Sequence, residues 1–399
     1  MNRLFTIYKN AYRGLPRPVW ELSIATLINR AGTMVIVYLM LYLTEKIGLS
    51  PTAAGRIISI YGIGAVFGTL AGGWLADKIT PHRVQLSSLF TAAVLFIILG
   101  YLKNLHSIAI VIFLLALTTE AFRPANSTAI AEVSPPEKRA RSYALNRLAI
   151  NLGFSVGPVV GGFLAHVNYH YLFWVDGITS ALAGFYLYFL HRRKTAVFTD
   201  EQPEEIKTRS PWRDAVYASV LLFMLLIGML FYQIFNVWPL YLREIYHLAE
   251  NQIGPLLAIN GLLIVLIEMP LVHRLERAKP VRIIALGSLL ICGGQSLLPF
   301  FSSYAWIALT VIIWTIGEML CFPLMIAFIA NRAGDKNRGA YMGMYSFTFS
   351  IAMVVSPIIG TWIYESMGPN SLWHIAGILG LVVFSGLHAI DRFGLQHSI

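Results

Sequence analysis

Charge is scarce in this 399-residue chain: Asp, Glu, Lys and Arg make up 13% of it, against 57% hydrophobic residues. Soluble globular chains carry about a quarter charged residues, so a string of water-soluble domains is excluded. Cysteine is scarcer still. Cys292 and Cys321 both fall in apolar runs with no ligand-like spacing, which argues against a disulfide framework and against a metal site. The G-x-x-x-x-G-K-[ST] phosphate loop is missing from the sequence, so no nucleotide is expected to drive the protein. The histidines (His82, His106, His166, His170, His191, His247, His273, His374, His388 and His397) stand at loops, tails or the ends of apolar runs. An intramembrane hydrolase needs a nucleophile beside a base at depth. The chain is therefore not expected to be an enzyme.

What is plentiful is long apolar runs, each of the roughly 20 residues needed to cross about 30 Å of hydrocarbon. Reading them between turn signals predicts twelve spans, the first six near 19–44, 52–76, 83–103, 107–131, 142–166 and 171–191. The second six run near 214–242, 251–273, 281–302, 304–331, 340–365 and 372–391. The fold class is an all-α polytopic membrane protein, and the lipid bilayer is its first partner. The formal net charge of +10 does not point to nucleic acid, because most Lys and Arg crowd into alternate loops and the tails, as in Lys138-Arg139 and Arg192-Arg193-Lys194. That asymmetry is the positive-inside rule. It predicts both termini in the cytoplasm and, in a bacterial cell, a place in the inner membrane. The first 18 residues are polar and basic and lead into a run too long for a signal h-region, so no cleavable signal is expected.

The stretch "HRRKTAVFTDEQPEEIKTRSPWRD" separates the two sets of spans. It gives the domain reading: a six-helix bundle in 1–191, a cytoplasmic linker at 192–213 and a second bundle in 214–399. An internal repeat supports the split. At a constant offset of 199, "YLTEKIGL" (42–49) meets "YLREIYHL" (241–248), and "ADKITPHRV" (76–84) meets "LERAKPVRI" (275–283). Pro124 then meets Pro323, Pro158 meets Pro357, and Gly161 meets Gly360. Two parallel, pseudo-symmetric six-helix halves are one architecture of secondary transporters, with the substrate site between the halves.

Span 5 contains "NLGFSVGPVVGGFL" (151–164), with Gly153, Gly157 and Gly161 four apart, Pro158 beside the middle one and Gly162 closing the string. In lipid, small residues permit the close backbone approach that holds helices together. The string resembles the antiporter motif of drug:proton antiporters in the major facilitator superfamily. "GGWLADKITPHRV" (72–84) resembles that superfamily's signature loop between spans 2 and 3. Gly73, Leu75, Asp77 and Lys78 match it, while Thr80 replaces the motif glycine and Pro81-His82 replace a basic pair ahead of Arg83. "RPANSTAIAEVSPPEKRARS" (123–142) and "WTIGEMLCFP" (314–323) are similar to bacterial members of the same branch. The resemblance implies export of a small molecule in exchange for protons, with protons as the coupling ion, no cofactor and a monomeric working unit. It also implies that Asp77 locks the outward-open state against the N-terminal end of span 11, and that Glu276 does the same against span 5.

Six ionisable residues lie inside predicted spans: Arg30, Glu120, Arg123, Arg147, Glu268 and Glu318. Each Arg or acid at a helix centre costs about 3 kcal/mol on insertion scales, so such residues face a bundle interior or a wet cavity. Glu120 and Arg123 share a helical face at i, i+3 and are expected to touch. Arg30, beside Asn29, competes for the same carboxylate. Arg147 and Asn151 flank the glycine string. Glu268 and Glu318 have no Arg or Lys at comparable depth in their half, which suits a proton carrier. The proton-coupling candidates are therefore Glu120, Glu268 and Glu318. Glu318 shares a face with Trp314 and Phe322, a place for a cationic or aromatic ligand. Tyr38, Tyr42, Phe231, Tyr232, Gln233, Asn236, Trp238, Tyr345 and Phe349 are candidate linings for an amphipathic pocket. The leading functional reading is alternating access with proton-coupled export. Its rival is a symporter importing an anionic metabolite or small peptide, although span 1 reads "INRAGT" and lacks the E-x-x-E-R of proton-coupled peptide importers.

Overall fold

The computed structural model describes residues 14–135, 138–190, 213–275 and 280–394. Glu276 and nearly all of the 192–213 linker lie outside them. The described residues are helical and contain no strand, and twelve helices are long and apolar enough to cross a membrane. They are labelled α1 Arg17–Lys46, α2 Pro51–Lys78, α3 Pro81–Tyr101, α4 Leu105–Glu132, α5 Arg139–Val167 and α6 His170–Leu190. The second set is α7 Ala215–Phe235, α8 Glu250–Glu268, α9 Pro280–Phe300, α10 Tyr304–Ile329, α11 Tyr341–Met367 and α12 Ser371–Arg392. At 1.5 Å per residue, a 21-residue helix such as α3 spans about 32 Å, the thickness of the hydrocarbon layer.

Helix starts follow local chemistry. Thr80, the residue that replaces the motif glycine, caps α3 by accepting from the Arg83 N–H at 3.3 Å, and Pro81 fills the first turn. Asp214 caps α7 through the Tyr217 N–H at 3.0 Å. Two spans differ from the sequence reading in being interrupted. α1 runs helically over Arg17–Ala31, breaks, and restarts at Val35. α7 gives way to a 3-10 turn at Tyr232–Phe235 before a short helix at Val237–Glu244. A third difference is the predicted turn between α10 and α11. Helical turns run from Tyr304 to Met367 with Pro323 and Pro357 inside them, and the ring centres of Phe322 and Phe349 lie 5.5 Å apart, so the chain doubles back between α10 and α11 without leaving helical geometry.

The chain packs as two compact units, one of Met1–Val35 with Ile63–Gln202, the other of Ile36–Gly62 with Pro203–Ile399. In the first unit α2 lies against α4 through a glycine ridge that ends at Gly72, the first residue of the signature-like string. An added Cβ at Gly64, Gly68 or Gly72 would strike the backbone of Phe113, Leu117 or Ala121. Gly73, the motif residue, has only an ordinary contact, with Pro124 at 3.8 Å. A buried amide network ties four helices of this unit together: Gln85 donates to Asn126 at 2.9 Å, and Asn126 donates to Thr26 at 3.2 Å and to Asn146 at 3.1 Å. Such groups are costly in lipid unless bonded, so this network fixes how α1, α3, α4 and α5 meet.

In the second unit residues 36–62 pack onto the C-terminal helices. Ser59 donates to the Val354 carbonyl at 2.8 Å, Thr52 bonds Glu365, and Arg243 pairs with Glu45 at 2.6 Å. A buried apolar core centred on Met224, Ile227, Ile284, Met325 and Ile329 joins α7, α9 and α10. At the linker side of this unit, Asp214 takes a two-pronged bond from Arg332 at 2.7 and 2.8 Å and a third bond from the Tyr341 hydroxyl at 2.9 Å.

Candidate functional site

The glycine string of α5 meets α1 at its interruption. A Cβ on Gly153 would come within 2.6 Å of the Arg30 Cβ, and one on Gly157 within 3.2 Å of the Ala31 carbonyl oxygen. Gly161 and Gly162 are buried further along the same helix, which continues helically through Pro158. The repeat partner in the second unit does the same work with different atoms. On α11, Ser356 donates to the Met229 carbonyl at 2.7 Å and accepts from Gln233 at 2.8 Å through its own carbonyl, while Gly360 leaves room for the Gln233 side chain. Small residues of α5 and α11 thus seat the interrupted stretches of α1 and α7.

Three sequence-predicted pocket residues are taken up by this packing. Gln233 is committed to Ser356, Asn236 donates to the Tyr232 carbonyl at 2.8 Å, and Tyr38 is fully buried with its hydroxyl on the Glu250 carbonyl at 3.3 Å. Gln233 and Tyr38 each bond a backbone carbonyl of another helix, Asn236 bonds one in its own segment, and all three side chains are buried. Trp238 is likewise buried.

In the first unit Glu120 and Arg123 touch, as their spacing predicts, at 3.2 Å, with the Arg123 side chain largely exposed. Arg147 is exposed on α5, and Asn151 and Asn29 are half-buried. Asp77 and Lys78 are exposed at the end of α2, where the Lys78 ammonium lies 5.9 Å from the centre of the Trp74 ring.

The second unit brings together an acid, an amide and a hydroxyl. Asn260 of α8 donates to Glu318 of α10 at 2.8 Å and to the Thr315 hydroxyl oxygen at 3.1 Å. Thr315 in turn donates to the Val311 carbonyl at 2.6 Å, so its lone pairs are left to face the amide. Asn260 thus bridges Glu318 and Thr315, two residues of α10 one turn apart. Trp314 is buried, with its backbone tight against Gly294 of α9. Glu268 is buried at the end of a π-helical turn, Ile264–Glu268, a local widening often found at functional positions.

One turn beyond Glu318 begins a row of edge-to-face and tilted aromatic contacts. Phe322 meets Phe231 at 5.1 Å and Phe349 at 5.5 Å between ring centres, and Tyr345 meets Phe349 at 5.1 Å. Phe231 also packs on Tyr232 at 5.7 Å. Phe231, Phe322 and Phe349 are only half-buried. A carboxylate beside a partly open aromatic row can hold a cationic, apolar molecule through charge and ring faces together. Phe322 is expected on the face of Glu318, and Thr315 could have been found from the sequence as the i−3 neighbour of that acid.

Comparison with known proteins places this geometry. The family model for the Major Facilitator Superfamily matches residues 22–348 and 320–391. Among curated relatives, the chain is 24% identical to the Na(+), Li(+), K(+)/H(+) antiporter of Planococcus maritimus, over 83% of this chain and 85% of that protein. It is 22% identical to the quinolone resistance protein NorA of Staphylococcus aureus, over 83% of this chain and 86% of that one. Among solved structures, a POT family transporter in complex with a thioalcohol-conjugated peptide superposes with a TM-score of 0.81 at 16% identity, covering 96% of this chain and 98% of that one. At that identity the likeness concerns the fold. Twelve spans, paired interrupted helices seated on α5 and α11, and a family match along nearly the whole length lead to one conclusion: the chain is a multi-pass membrane transporter of the Major Facilitator Superfamily.

Proposed function

We propose that this transporter is a proton-coupled antiporter that exports small amphipathic, cationic compounds. The observation that carries the reading is the Glu318–Asn260–Thr315 cluster set one turn from the Phe322–Phe231–Phe349 row. A carboxylate in that position accepts either a proton or a cationic head group. Occupation by one weakens the hold on the other, which is the condition for exchange. When Glu318 takes a proton it gains an O–H donor and keeps its carbonyl oxygen as acceptor, so the Asn260 amide can go on donating to it or turn its own carbonyl to accept. Glu268 and Glu120 are the further candidates for carrying a proton. One proton moving down about 100 mV supplies roughly 2.3 kcal/mol, enough to sustain about a 40-fold gradient at 1.4 kcal/mol per decade.

In this reading the six-span halves 1–191 and 214–399 rock about the substrate, and 192–213 tethers them in the cytoplasm. The protein works as a monomer in the cytoplasmic membrane, with both termini inside and no bound cofactor. The named activities of the Planococcus and Staphylococcus relatives, an antiporter and a quinolone resistance protein, support antiport and export. Import of an anionic metabolite or small peptide would draw on Arg30, Arg123 and Arg147, of which Arg123 pairs with Glu120. Everted vesicles separate the two directions. Adding substrate to proton-loaded vesicles releases lumenal protons if the protein is an antiporter and leaves them in place if it is a symporter.

A further inference from the structure

Asp176 lies on α6, in the first compact unit, and is completely buried. Its carboxylate accepts from the Met34 N–H, 3.1 Å from both oxygens, and from the Val35 N–H at 2.9 Å. It serves a helix more than 140 positions away. The bonds fall where α1 restarts. Gly32 and Thr33 close the first segment on the Asn29 and Arg30 carbonyls, Met34 turns back onto Gly32, and Val35 opens the next segment. A helix that restarts within the membrane has backbone N–H groups without intrahelical partners, and hydrocarbon offers none.

The partial positive charge of that new N-terminus in turn favours a carboxylate. Gly32 allows the approach, since any side chain there would collide with Thr179, one turn along α6. The matching interruption in α7 is served by neutral groups, Gln233, Asn236 and Ser356, and the residue at the 199 offset from Asp176 is Ile375. The acid is thus particular to α1. Its bonds end at Val35, the last residue of one compact unit, and Ile36 opens the stretch that packs with the other.

We infer that Asp176 is a positioning residue for transport: it fixes the pivot of α1 at Met34–Val35 without touching substrate. The effect on turnover rests on the transport reading above, whereas the effect on the backbone does not. The experiment is hydrogen exchange on the purified full-length protein in lipid nanodiscs, paired with transport kinetics. An asparagine side chain at this position offers one acceptor and sets its NH2 against the other backbone N–H, so Asp176→Asn should raise exchange at residues 33–36 by tenfold or more. Protection in α3 and in the rest of α6 should stay as in wild type. Asp176→Glu, which keeps both acceptors, should restore part of the protection. Transport by the Asp176→Asn variant should show kcat reduced about tenfold with KM within twofold. Unchanged exchange at 33–36 would overturn the inference even if transport fell, as would a raised KM with kcat intact. If wild type moved none of the compounds tried, the exchange result would still decide it.

Discussion

The Asn260 side chain donates a 2.8 Å hydrogen bond to Glu318 across the α8–α10 contact. It joins the acid proposed to exchange a proton to a neutral group that can bond either protonation state. Hydrogen bonds to charged groups contribute about 1.5–3 kcal/mol. Removing this one with Asn260→Ala should therefore lower turnover by roughly ten- to hundredfold, at 1.4 kcal/mol per decade, while the folded protein remains. Initial-rate transport in liposomes checks it, and a change under threefold would deny the amide this role.

Close approach makes the glycine string testable against internal controls. Gly153→Ala would place a methyl 2.6 Å from the Arg30 Cβ, and Gly157→Leu would push a full side chain onto the Ala31 carbonyl. Overpacking of this kind costs about 1–3 kcal/mol. Both variants should lower the melting temperature and cut transport. Gly293 and Gly343 have open space around an added Cβ. Alanine there should be neutral or stabilising by up to about 1 kcal/mol, from helix propensity alone. Thermal melts of the four variants in one detergent give the comparison.

The twelve spans, the repeat and the glycine string were legible because they are local: apolar run length, offset and spacing. The interruption of α1 was not. "NRAGTMV" contains no proline, and its break is stabilised by Asp176, which only the fold brings near. The Asn260–Glu318 bond escaped for the same reason, since 58 residues separate the two and periodicity says nothing of which helix faces which. The α2 ridge at Gly64, Gly68 and Gly72 is local too, and its four-residue spacing is as readable as that of the string in α5. Polar residues such as Gln233 and Asn236 looked like pocket walls, because a sequence does not show that a neighbouring backbone needs them.

Asp214 should give the second unit an acid-sensitive lock. Burial pushes its carboxyl up, but the Arg332 guanidinium, the Tyr217 N–H and the Tyr341 hydroxyl outweigh that and hold it below the ordinary 3.8. A depressed folded value means its stabilisation is complete above pH 3.8 and is lost as pH falls through the lower folded value. Asp214→Ala strands Arg332, whose side chain is 13% exposed, and should cost about 3 kcal/mol. Stability of the variant should then depend less on pH below about 4 than that of wild type. Melts at stepped pH measure both effects.

The Glu45–Arg243 pair predicts a small effect. Its side chains are 27% and 35% exposed, and exposed pairs contribute at most about 1 kcal/mol. Glu45→Gln should change transport rate less than about fivefold, by the same conversion. A larger loss would show that this contact controls the cycle, contrary to its exposure.

The most direct test of proton exchange at the acid–aromatic site compares two assays on Glu318→Gln in liposomes. Glutamine keeps the shape and the bond to Asn260 but takes no proton. Downhill substrate exchange should persist, while substrate-driven proton release, present in wild type, should vanish. Proton release that survives the substitution would contradict the account.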